Sequence, residues 1–159
     1  MANPLTLILP IQDGQLPALI KALAGQQQNI GQALIDLGIV HYARSVIIDA
    51  SARNLQPSLP FTGGPYSIAI ITEYDGDFNS YIQEFVDKIG DAFNVVLQYV
   101  VGGSAVLPVQ KNLAAFQAFL AANDMSQQKN VPNGELFSAY PQTVQKILGA
   151  FPPSLAAAG

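Results

Sequence analysis

Residues 66–74 read YSIAIITEY, and this stretch carries apolar side chains on both faces of any strand it forms. Successive strand residues point to opposite sides, so Ile68 and Ile70 take one face while Ala69 and Ile71 take the other. Such a strand needs cover above and below, which is the signature of one buried on both faces. Asp75-Gly76-Asp77 closes it, and Asp77 is placed to cap the helix that follows.

The remaining elements arrange themselves around this strand. LTLILPIQ (5–12) is a first strand ending at the Asp13-Gly14 turn, with Leu5, Leu7 and Leu9 on one side and Thr6, Ile8 and Pro10 on the other. From Gln15 to Leu37 the leucines and isoleucines fall largely on one helical face. Gly25 and the run Gln26-Gln27-Gln28 loosen its middle, so the pattern allows two helical pieces, and Gly38 ends it. VHYARSVIID (40–49) is strand two, followed by a long loop over 50–65. Phe78 through Leu97 carry the clearest amphipathic pattern in the chain. A short helix over 109–123, a loop, a fourth strand over 135–140 and a last helix opened by Pro141 complete the order.

The order β-α-β-β-α-(α)-β-α predicts an α+β fold of the ferredoxin-like plait type, a βαββαβ unit with additional helices and a four-stranded antiparallel sheet. Residues 1–151 form a single domain and 152–159 a flexible tail. Both long helices are expected on one sheet face. The other apolar face then calls for a partner, because large apolar patches on a monomer mark an interface. Pairing two such faces gives a homodimer of the dimeric α+β barrel type.

Composition narrows the function. Half of the 159 residues are apolar, only 11% are charged and the net charge is −4, so the positive footprint that nucleic acid requires is missing. Cysteine is absent, which excludes thiolate chemistry and cysteine-ligated zinc or iron–sulfur clusters. A single histidine leaves too few nitrogen ligands for a protein-only zinc or non-haem iron triad. No segment is long and apolar enough to span a bilayer, and the N-terminus lacks the basic flank of a secretory signal, so the expectation is a cytoplasmic protein without membrane contact.

The candidate site lies on strand two and its neighbour. In a regular strand His41 shares a face with Ala43 and Ser45, whereas Tyr42, Arg44 and Val46 share the opposite one. His41 is a candidate general base or axial haem ligand. Arg44, mid-strand, requires an anionic partner, with Asp49 and Glu73 nearest by strand position. The catalytic candidates are therefore His41 and Arg44, and the ligand-binding candidates are His41, Tyr42, Arg44 and Glu73. Each also has a plainer explanation: a histidine bonded to backbone at a strand end, and an arginine in a structural ion pair. Gly63-Gly64 and Gly102-Gly103 lack the spacing and lysine of a phosphate loop.

Three separated stretches, VHYARSVIID (40–49), ITEYDGDFNSYIQEFV (71–86) and ELFSAYPQTVQKI (135–147), together resemble a bacterial ferredoxin-like domain of unassigned activity. Its pattern runs His-aromatic-Ala-Arg, then aromatic-Asp-Gly before a Tyr-containing helix, then Ala-Tyr-Pro. His41, Ala43, Arg44, Asp75, Gly76, Tyr81, Tyr140, Pro141 and Val144 match, while AYPQTV is one residue short of the pattern. The resemblance spans about 100 residues of this sequence. Such domains occur in chains associated with haem peroxidases and lipoxygenases, and more distantly the fold is similar to dimeric α+β barrels that include haem-handling enzymes. The resemblance implies the fold and leaves the reaction unnamed.

Two functional expectations follow. One is a dimeric barrel holding a small apolar molecule or a haem-like cofactor between its sheets. The other is an interaction and assembly module whose dimer interface is packed solid. Whether the protein is an enzyme is not fixed by its residues.

Overall fold

The computed structural model describes residues 2–127 and 141–151. Three strands, β1 (Ala2–Pro10), β2 (Val40–Asp49) and β3 (Tyr66–Asp75), form an antiparallel sheet in the order β1-β3-β2. Both outer strands run antiparallel to β3 and hence parallel to each other, joined by helix α1 (Leu16–Leu37). Helices α2 (Phe78–Leu97), α3 (Leu113–Asn123) and α4 (Val144–Ala150) follow. The chain is therefore α+β. The expected fourth strand, 135–140, and the expected tail, 152–159, lie outside the described residues.

Sequence explains the strand order. Proline cannot donate to a ladder, so Pro4 and Pro10 confine β1 to an edge, whereas β3 has no proline and accepts partners on both sides. Toward its start the outer edge of β1 is covered by Asp124–Ser126: the Thr6 amide donates to Asp124 Oδ1 at 3.1 Å, and Ser126 Oγ donates to the Pro4 carbonyl at 3.1 Å. At the other end Val101 donates to the Pro10 carbonyl.

Helix α1 is continuous through Gly25 and the glutamines. A glycine costs about 1 kcal/mol in a helix interior. Burial of Leu16 and Leu19 at one end and Ala33 and Leu37 at the other outweighs that cost. It stops at Gly38 in the left-handed region (φ 60°), as expected. Asp77 caps α2, accepting from the Ser80 amide at 3.0 Å. The last helix begins later than its proline suggests, because Thr143, accepting from the Lys146 amide, is the cap.

One apolar cluster joins Leu5, Leu7 and Leu9 of β1 and Ile68 of β3 to the inner faces of α1, α2 and α3. An aromatic chain runs through it, from Tyr74 stacked on Tyr81 (centroids 3.9 Å apart) through Phe85 and Phe93 to Phe116. On the reverse face of the sheet, Ile8, Ala69, Ile71, Val46 and Ile48 stand outside this cluster.

Candidate functional site

The register of β2 against β3 slips by one residue between Val40 and Tyr42. Val40 pairs with Tyr74 and Ala43 with Thr72, and both pairs face the helices. Two residues, His41 and Tyr42, thus stand opposite the single residue Glu73, a β-bulge. The bulge overturns the expectation from a regular strand. His41 leaves the Ala43–Ser45 face and joins Tyr42, Arg44 and Glu73 on the face turned away from the helices. The four candidate residues therefore lie on one side of the sheet.

Their chemistry on that face is limited. His41 Nε2 lies 3.2 Å from Asp75 Oδ1, and the other oxygen, Asp75 Oδ2, accepts from the Val144 amide at 2.7 Å. Gln145 Nε2 donates to the Gly38 carbonyl at 2.8 Å. His41 and Asp75 thus tie the start of β2 to the end of β3 and the first turn of α4. Arg44 is exposed and pairs with neither expected acid among the described residues. Asp49 is taken by the 50–65 loop, its Oδ1 accepting from the Ser51 amide, Ser51 Oγ and the Gly64 amide at 2.7–3.0 Å. The Ser51 hydroxyl, foremost among these bonds, holds the Asp49 carboxyl below its usual range.

Glu73 is the anomaly. It is buried, 8% exposed, and its Oε2 has no hydrogen-bond partner. Burial pushes its carboxyl above the ordinary range, and the nearby His41 opposes that rise.

Sequence reasoning missed a cavity of about 490 Å³ between the sheet and the helices. Its floor is the helix-facing row Leu5, Leu7, Leu9, Ile68 and Ile70, and its roof comes from α1 and α2, with Phe116 and Leu120 of α3. Leu23, Ile30 and Leu34 point inward from α1 yet are only half-buried, because the cavity rather than the sheet lies beneath them. Where lining residues are exposed, at Ala24 and Gln27 of α1 and at Ala43 to Ser45 of β2, the cavity opens to solvent. The only hint in the sequence was the small and polar run from Ala24 to Gln28 in the middle of α1.

Among the described residues the wall contains no histidine, aspartate or glutamate, and its one charged residue is Arg44, which touches the rim while its strand position turns its side chain to the reverse face. Inside, the polar groups are the hydroxyls of Thr72 and Tyr81, which bond to each other at 3.2 Å. This wall supplies no axial haem ligand among the described residues. His41 lies outside this wall, its side chain is 15% exposed and its Nε2 is engaged by Asp75. No group of three or more histidine or acidic residues able to hold a metal ion occurs among the described residues, and no described helix is long and apolar enough to cross a membrane. No protein-family model, curated protein or solved structure matches this chain.

Proposed function

We propose that this protein binds a small apolar molecule in the cavity between its sheet and its helices. The observation that carries the reading is the cavity itself, whose volume lies within the roughly 300–1,000 Å³ of ligand sites. It is about three times the size of an engineered apolar cavity of roughly 150 Å³ that takes up benzene, which points to a ligand of two or three rings. Titration with N-phenyl-1-naphthylamine, read by fluorescence, tests this. The wild-type protein is expected to bind it, and Ser45→Trp, which sets an indole in the mouth at an exposed position, to weaken binding at least tenfold. Equal binding by both proteins, or none by either, would sink the reading.

A second reading, assembly, is favoured by the reverse face of the sheet. There Val46 is 43% and Tyr42 62% exposed, next to Ile8, Ile71 and Ile48. We propose that a second copy of this chain covers that face, as in a dimeric α+β barrel. In a two-fold pairing each residue meets its partner reciprocally. Sedimentation should give a dimer that Val46→Glu converts to a monomer. A monomer at all concentrations would contradict this arrangement.

A further inference from the structure

The hydroxyl pair in the cavity wall carries a more specific conclusion, which rests on the binding reading above. Thr72 is 4% and Tyr81 2% exposed, and both line the cavity. Between them the two side chains hold two hydroxyl protons, and their mutual bond uses one. Whichever hydroxyl donates, the other keeps a proton with no acceptor among the described residues. A buried O–H left without an acceptor forfeits the hydrogen bond that water would give it. The surrounding wall offers it nothing, since its neighbours Leu5, Ile70, Ile82 and Phe85 have apolar side chains.

We infer that the cavity selects neutral apolar molecules bearing a single hydrogen-bond acceptor, such as an aryl ketone, whose oxygen takes the free proton of the Thr72–Tyr81 pair. The acceptor must be uncharged. Among the described residues the interior has no cation to compensate a carboxylate, and Arg44 touches only the rim. Burial raises the phenol of Tyr81 far above its usual range, so both hydroxyls stay protonated and act as donors at every physiological pH. The stack of Tyr74 on Tyr81 fixes the phenol ring and hence the direction of its hydroxyl.

The test compares 2-acetylnaphthalene with 2-ethylnaphthalene, two probes of nearly equal shape that differ in one carbonyl. Wild-type protein should bind the ketone about fivefold or more tightly than the hydrocarbon, the size of one buried hydrogen bond. Thr72→Val and Tyr81→Phe each leave one donor and should each retain a preference for the ketone. In the double variant Thr72→Val/Tyr81→Phe no donor remains, and the hydrocarbon should bind more tightly. Infrared spectroscopy on the unmodified protein gives an answer that needs no variant: the carbonyl band of bound ketone should lie at lower wavenumber than in cyclohexane. If both probes bind wild-type protein equally and the carbonyl band is unshifted, the polar anchor is wrong while the binding cavity stands. Should neither probe bind, both readings fall together.

Discussion

Glu73 places a carboxylate where water would hold it better, and this residue makes the sharpest pH prediction. Its folded-state pKa lies above the unfolded value, so the native state binds the proton more tightly. Stability attributable to this group is therefore greatest when it is protonated and falls as pH rises through the raised pKa. Glu73→Gln mimics the protonated form. It should raise Tm by roughly 2–4 °C at neutral pH, and the gain should vanish below the ordinary carboxylate range, as read by thermal unfolding across pH. A second residue-scale prediction concerns Gly63. A methyl group there would strike the Asp49 carboxylate that organises the 50–65 loop. Gly63→Ala should speed amide exchange at Ser51 and Gly64 while leaving the amides of β3 protected.

Among the elements, the helix-facing core sets stability, while Asp75 sets the attachment of α4. Leu19 is fully buried on α1 and lies outside the cavity wall, so Leu19→Ala should cost about 2–5 kcal/mol in denaturant unfolding. Asp75→Ala removes the partner of His41 and the acceptor of the Val144 amide together. Exchange should then accelerate across Val144–Ala150 but not at Ile68–Ile70. At this scale the sequence was most readable where signals are local. The bounds of β2 and α2 and the Asp77 cap all follow from β-branched runs, helical spacing and a short polar side chain. What escaped was non-local. Nothing in VHYARSVIID distinguishes a regular strand from one with a bulge at His41, because the bulge exists only through pairing with Glu73. Nor does the glutamine run show that α1 stays whole, since burial at its two ends decides that.

At the scale of the molecule, the antiparallel sheet separates two unlike environments. On one side three helices build a core and enclose an apolar cavity with a single hydroxyl pair. On the other a bulge gathers His41, Tyr42, Arg44 and Glu73 beside an apolar strip. The apolar character of both faces was plain in YSIAIITEY, but which side encloses space depends on how far α1 stands from β2, a matter of tertiary packing. The central claim is that a ligand enters on the helix side. Methyl NMR during titration with N-phenyl-1-naphthylamine tests it most directly, because the two faces carry different reporters. The methyl signals of Leu7, Leu9, Ile68, Ile70 and Leu34 should shift with saturation while those of Ile8, Ile71, Val46 and Ile48 stay in place. Shifts confined to the second group would move the site to the reverse face and contradict the account.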